Sequence, residues 1–239
     1  MSDTMTACDC GGLATRRGAW AALPLVFLLS PSAALAEGRF ERAAVYLERS
    51  IVDKDVEIRF EVTGPSHGLA ALRVTAPDGR TVLDIRAPDS KLGMRQFVLE
   101  SPEPNDDGRL QADFPAGTYQ FSGTTVQGTT LQGTATLSHA FPPATSVIQP
   151  RSDNKAAVPA AGLQIRWSPV ANLAAVAVVV EDEETGREVT ALLPGDATAF
   201  TVPQGVLAPA TEYKLGIGTV SRNGNRSFVE TQFKTAGRK

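Results

Sequence analysis

From Val56 to Val62 the chain alternates apolar and charged residues without an error: Val56, Ile58, Phe60 and Val62 against Glu57, Arg59 and Glu61. A helix would scatter those four apolar side chains around its circumference, whereas a strand puts them all on one face. One buried face and one wet face is the signature of an antiparallel sheet. The same period returns at Leu72 and Val74, at Leu163, Ile165 and Trp167, and from Tyr213 through Leu215 and Ile217 to Thr219. Between such runs stand turn signals: Pro77-Asp78-Gly79, Gln127-Gly128 and Asn223-Gly224. Pro presets φ and Gly accepts a positive φ, so these dipeptides reverse the chain by a stated mechanism. An all-β chain follows.

The first 36 residues stand apart. Arg16-Arg17 precede an apolar stretch from Ala19 to Leu29, and Ala34-Leu35-Ala36 then lead to Glu37. A basic start, a short apolar middle and a small-x-small end describe a cleaved signal peptide over 1–36. The apolar stretch is shorter than the roughly 20 residues a membrane span needs. The Arg pair points towards twin-arginine export, and Gly18-Ala19-Trp20 after it fits that pattern poorly, so general secretion is the expectation. Cys8 and Cys10, the two cysteines of the chain, would leave with that peptide. A secreted or periplasmic protein without disulfides is expected, each part standing on its own core.

Charge marks a boundary within the rest. Residues 37–143 carry 11 basic and 15 acidic groups, and residues 144–239 carry 10 and 9. The change falls beside Phe141-Pro142-Pro143, a stiff connector. The expected order is an N-terminal β-sandwich over 37–141, a Pro-rich linker over 142–145 and a second sandwich over 146–237. The net charge of −3 offers no basic field for nucleic acid.

In the second part, Ala174 to Val180 is a nearly continuous apolar run and Glu181-Asp182-Glu183-Glu184-Thr185-Gly186 is a polar turn. Phe200 and Val202 lie on a short strand, and Arg226 to Thr235 form the last one. Leu207-x-Pro209-x-Thr211-x-Tyr213, with alternation continuing beyond, resembles the tyrosine corner of fibronectin type III domains. The resemblance implies that the Tyr213 hydroxyl bonds back to upstream backbone and that Trp167 is the core tryptophan of an early strand. It covers residues 146–237. The run Ala174–Val180 lacks the aromatic residue often seen on the third strand of that family. There is no Arg-Gly-Asp tripeptide.

In the first part, Tyr46 to Ile51 reads as a strand or as the end of a short helix. Further strands are expected at Val82–Arg86, at Gln96–Glu100, from the opening Pro115-Ala116-Gly117-Thr118-Tyr119 through Phe121 and at Leu131–Leu137, with Ser101–Gly108 an acidic, turn-rich loop. About seven short strands in about 100 residues describe an immunoglobulin-like sandwich. Gly117-Thr118-Tyr119 looks like a second corner, which gives Tyr119 a structural role beside Trp167, Pro209 and Tyr213. The turn Pro77-Asp78-Gly79-Arg80, the segment Phe97-x-Leu99-Glu100-Ser101-x-Glu103-Pro104 and Phe114-Pro115-x-Gly117-x-Tyr119-x-Phe121 are similar to uncharacterised secreted bacterial proteins that pair such a domain with a fibronectin type III module. That class brings no catalytic residues with it. Its longer polar loop after Pro104 is reduced here to Asn105–Asp113.

Nucleophilic catalysis needs a base beside the nucleophile. His67 and His139 are the two histidines, and each reads as solvated, His67 on a surface loop and His139 at a strand end. No Gly-x-Ser-x-Gly elbow, phosphate loop or zinc spacing is present. No enzyme, cofactor or catalytic residue is expected. The weak metal reading is calcium on Glu103, Asp106, Asp107 and Asp113, with Asp53 and Asp55 as a second acidic loop. Glu181 to Glu184 reads either as a docking patch for a basic partner or as a charged tip that keeps sheet edges apart. The expected role is protein–protein interaction outside the cell or in its envelope, with a protein or cell-surface component as partner. The alternative is an accessory polysaccharide-binding or calcium-dependent surface-attachment module. Neither stable membrane insertion nor nucleic-acid binding is expected.

Overall fold

The computed structural model describes residues 37–237 except 88, 90, 103–106 and 152–156. The expected signal peptide, Glu103 and Asp106 therefore lie outside the described residues. The chain is all-β, two tandem immunoglobulin-like sandwiches.

The first sandwich contains β1 (Glu37–Arg39), β2 (Arg42–Ser50), β3 (Asp55–Thr63), β4 (Leu69–Thr75), β5 (Thr81–Arg86), β6 (Gln96–Glu100), α1 (Asp107–Asp113), β7 (Gly117–Thr125) and β8 (Thr130–Leu137). One sheet runs β1-β8-β7-β4-β5; β2, β3 and β6 pair on the other side. The alternation that opens at Val56 does what its period requires: Val56, Ile58, Phe60 and Val62 point inward from β3. They meet Leu72, Val74, Tyr119, Phe121, Leu131 and Leu137 in one core. Burying an aliphatic or aromatic side chain of this kind contributes about 1.5–3 kcal/mol.

The second sandwich contains β9 (Val147–Gln149), β10 (Gln164–Trp167), β11 (Ala175–Asp182), β12 (Glu188–Pro194), β13 (Ala199–Thr201), β14 (Glu212–Val220) and β15 (Arg226–Lys234). A three-stranded sheet, β13-β10-β9, faces β12-β11-β14-β15. Its separate core gathers Ile165, Trp167, Val176, Val178, Val180, Leu215, Ile217 and Phe233.

Two features depart from the expected layout. The acidic loop after β6 passes into a helix of seven residues, α1, because Leu110 drops into the first core and Phe114 N–H closes on the Leu110 carbonyl at 2.9 Å. One buried leucine in seven residues leaves no period to read. The second feature joins the sandwiches. β15 pairs with β2 in parallel, Arg226 to Glu48, Ser227 to Arg49 and Phe228 to Ser50. The two half-sheets thereby become one seven-stranded sheet, β12-β11-β14-β15-β2-β3-β6.

Buried polar groups hold this seam. The Thr219 hydroxyl donates to the Pro143 carbonyl at 2.8 Å, and the Ser227 hydroxyl donates to the Pro142 carbonyl at 2.8 Å. The Asn225 carboxamide, fully buried, donates to the carbonyls of Ser138 and Ala140 at 2.6 and 3.0 Å. The double proline is thus tied down by β14 and β15.

Candidate functional site

The shared sheet creates one feature that neither sandwich has alone: an outer face that continues across the seam. Registers fix what stands on it. Moving from β12 inward, Leu192 opposes Ala177, Ala177 opposes Gly218, Gly218 opposes Phe228, and Phe228 opposes Ser50. One step along, Thr190, Val179, Gly216 and Glu230 form the next row. No other described strand or helix packs on the outer side of β11, β12 and β14. The result is a groove of about 400 Å³, floored by Ala177, Val179, Gly216 and Phe228.

Its walls are charged. β2 and β3 contribute Glu48, Arg49, Glu57 and Arg59, and the loop between them contributes Asp53 while Asp55 opens β3. The second sandwich adds Glu181, Glu188, Lys214, Arg226 and Glu230, so seven carboxylates face four cations. Arg59 bridges two directly opposed carboxylates, Glu48 at 3.1 Å and Glu57 at 3.7 Å, and also pairs with Glu100. Arg226 crosses the seam to Glu48 at 3.4 Å and Glu61 at 3.6 Å, with its guanidinium 4.4 Å over the Tyr46 ring. Lys214 pairs with Glu230 at 2.9 Å.

Burial raises the Glu48 carboxyl above its ordinary value despite Arg59 and Arg226. Burial also raises Glu230, and a hydrogen bond with Asp53 adds to it against Lys214. For Glu61 burial works upward, but hydrogen bonds from Tyr46 and Arg42 overcome it and leave the carboxyl lowered. Tyr46 is pushed well up, first by burial and then by its bond to Glu61.

The residues singled out from sequence lie elsewhere. Trp167 is in the second core and its indole N–H donates to the Ala197 carbonyl at 2.9 Å. The Tyr213 hydroxyl accepts the N–H of Ala208 at 2.8 Å, five residues upstream, in the Pro209 loop. The Tyr119 hydroxyl does the reverse, donating to the Pro115 carbonyl at 3.2 Å, and burial pushes it up to about 12.

Of the calcium candidates, Asp107 opens α1, and Asp113, at its end, pairs with Arg109 at 3.7 Å. Among the described residues no group of three or more His, Cys, Asp or Glu is placed to hold a metal ion.

Both histidines differ from the solvated reading. His139 Nε2 donates to the Phe114 carbonyl at 2.9 Å, and His67 Nε2 is buried without a hydrogen-bond partner among the described atoms. The 181–184 run divides. Glu181 joins the groove, Asp182 accepts the N–H groups of Glu184 and Thr185, and Glu183 accepts from Gln232 at 2.6 Å. Sequence reasoning passed over Gly216 and Gly218, and it set Phe228 with Glu230 on one face of the last strand without giving that face a role. The available signal was two glycines spaced i, i+2 inside an otherwise apolar strand, a position where glycine weakens pairing.

No protein-family model matches the chain, and no curated protein matches it. Among the described residues no helix is long and apolar enough to cross a membrane. Solved structures similar to the chain include the fn3 domain of the human collagen alpha-1(XX) chain, 21% identical over 43% of this chain and 91% of that one, with a TM-score of 0.33. A two-domain fibronectin type III segment from chicken tenascin is 13% identical over 82% of this chain and 97% of that one, with a TM-score of 0.32. A tetra-tandem repeat in the extending region of a large adhesion protein is 16% identical over 82% of this chain and 50% of that one, with a TM-score of 0.30.

Proposed function

We propose that the chain is an exported, non-catalytic protein that binds another protein outside the cell or in its envelope through the outer face of the seven-stranded sheet. In this reading residues 1–36 are a signal peptide, and 37–141 and 146–237 are two domains joined by 142–145, the latter a fibronectin type III module. The observation that carries the binding role is the groove across the seam, whose floor comes from the second sandwich and whose charged walls come from both. A site of that construction is held in shape by the sheet beneath it, which favours a preformed surface over loops that order on contact.

Photo-crosslinking tests the face. A benzophenone side chain in place of exposed Thr190 on β12 is expected to give an adduct of one defined mass with envelope proteins, and the same group in place of exposed Arg73 on β4 is expected to give none. Equal labelling from both positions, or labelling from Arg73 alone, overturns it. N-terminal sequencing of exported protein tests the leader and is expected to begin at Glu37.

A further inference from the structure

The floor of the groove contains a glycine that the fold does not ask for. Gly218 is demanded by packing: a Cβ there would lie 2.5 Å from Phe228 Cζ. Gly216, two residues earlier, has no such neighbour. A Cβ there would meet Phe228 Cδ1 at 3.4 Å and Val179 Cβ at 3.7 Å, which are ordinary contacts, and its backbone is not left-handed. Glycine in a strand interior costs about 0.5–1 kcal/mol relative to alanine. A strand glycine often marks a bulge, a tight bend or a place where a ligand or another backbone comes close, and β14 keeps unbroken register with β11 and β15, so no bulge accounts for Gly216.

Charge identifies the occupant. Glu48 and Glu57 stand directly opposite each other, and the protein supplies Arg59 to bridge them. Glu181 and Glu188 stand opposite each other in the same way on β11 and β12. Like charges so placed are destabilising. Lys214 is in register with Glu181, but its ammonium sits on Glu230 at 2.9 Å. Among the described residues no ion pair engages Glu181 or Glu188, and none engages Asp53 or Asp55 at the far wall. The chain's own cations are committed elsewhere: Arg49 lies 4.5 Å over the Phe141 ring and donates to Ser227, and Arg226 holds Glu48 and Glu61.

We propose that the groove takes an extended, lysine- or arginine-bearing segment of a partner protein, with one cationic side chain between Glu181 and Glu188, another at Asp53 and Asp55, and its backbone crossing over Gly216. A second copy of this chain does not suit the face, because two surfaces with surplus carboxylates repel. From β12 to β3 the face crosses five strand spacings of about 4.8 Å, roughly 24 Å, which about seven extended residues span. The proposal rests on the binding face assigned above and names the chemistry of its partner.

A fluorescein-labelled octapeptide of alternating Lys and Val is the probe, with alternating Glu and Val as control, read by anisotropy on the full-length protein. The lysine peptide is expected to bind and the glutamate peptide not. Raising salt from about 0.02 to 0.5 M is expected to weaken binding at least about tenfold, because the screening length shrinks below the groove's width. Gly216→Val fills the floor, and the double change Glu181→Gln with Glu188→Gln removes the charge at constant shape. Each is expected to weaken the lysine peptide at least about tenfold, with an unchanged or higher melting temperature. If Gly216→Val fails to fold, the carboxamide pair decides. No binding of the lysine peptide, or binding undiminished in the double variant, overturns the proposal. A Thr190 crosslink without peptide binding would keep the face and discard the basic segment; loss of both discards both.

Discussion

The side-chain carbonyl of Asn225 accepts the backbone N–H of Leu47 at 2.9 Å, joining residues 178 positions apart. The same carboxamide donates to Ser138 and Ala140, so one buried side chain satisfies three backbone groups of the first sandwich. Asn225→Ala leaves the buried Leu47 N–H and the Ser138 carbonyl unpaired, while the Ala140 carbonyl keeps the Asn223 side chain as a donor at 3.3 Å; each unpaired group costs about 1–3 kcal/mol. The expected loss is about 2–4 kcal/mol in urea unfolding. Asn225→Asp is expected to cost at least as much, because a carboxylate presents lone pairs to two carbonyl oxygens.

The two strand glycines separate packing from vacancy. Gly216→Ala is expected to stabilise by about 0.5–1 kcal/mol, since a Cβ fits and the unfolded chain loses freedom. Gly218→Ala must displace Phe228 and is expected to destabilise by about 1–3 kcal/mol. Opposite shifts in thermal midpoint check the pair; shifts of the same sign contradict it.

The two tyrosine corners have opposite polarity. Tyr213→Phe orphans the N–H of Ala208, whereas Tyr119→Phe leaves the Pro115 carbonyl one donor short. An orphaned N–H is the costlier defect. Tyr213→Phe is expected to cost about 1–2 kcal/mol and Tyr119→Phe about half of that, measured by denaturant midpoints.

Acid acts on the groove and on Glu61 in opposite senses. Glu230 and Glu48 hold their protons above the ordinary 4.5, burial being the first cause. The folded chain binds those protons more tightly than the unfolded chain, so their contribution to stability is full below 4.5 and is lost as pH rises through the raised folded values. Glu230→Gln is therefore expected to be more stable than the parent at neutral pH, with the gap closing below about pH 4. Glu61 is lowered by Tyr46 and Arg42, so its stabilisation is present above 4.5 and is lost as pH falls through the folded value. Glu61→Gln is expected to be the weaker protein at neutral pH and to converge with the parent in acid. Urea unfolding across the range reads both.

The strands were legible wherever one face is buried and the other is wet. β3 and β10 show that period in sequence and in burial. β2 does not, because Val45, Tyr46 and Leu47 are all buried, Tyr46 on the outer side beneath Arg226 and Gly224. With both faces covered, the period vanishes and a strand looks like the end of a helix. α1 was hidden for want of a second apolar anchor. The groove was less legible still. Its charges, Glu57 and Arg59 among them, look like any solvated strand face until β15 is known to lie beside β2. That pairing is parallel and distant in sequence, and no turn announces it.

The parallel run of β2 and β15 has a mechanical meaning. β2 is entered from the N-terminal side and β15 leaves towards the C-terminal side. Tension between residues 42 and 234 therefore draws the two strands lengthwise past each other in shear. Their ladder bonds must fail together, with the Asn225 and Ser227 side-chain bonds beside them, rather than unzip one at a time. A chain built this way carries load through its seam.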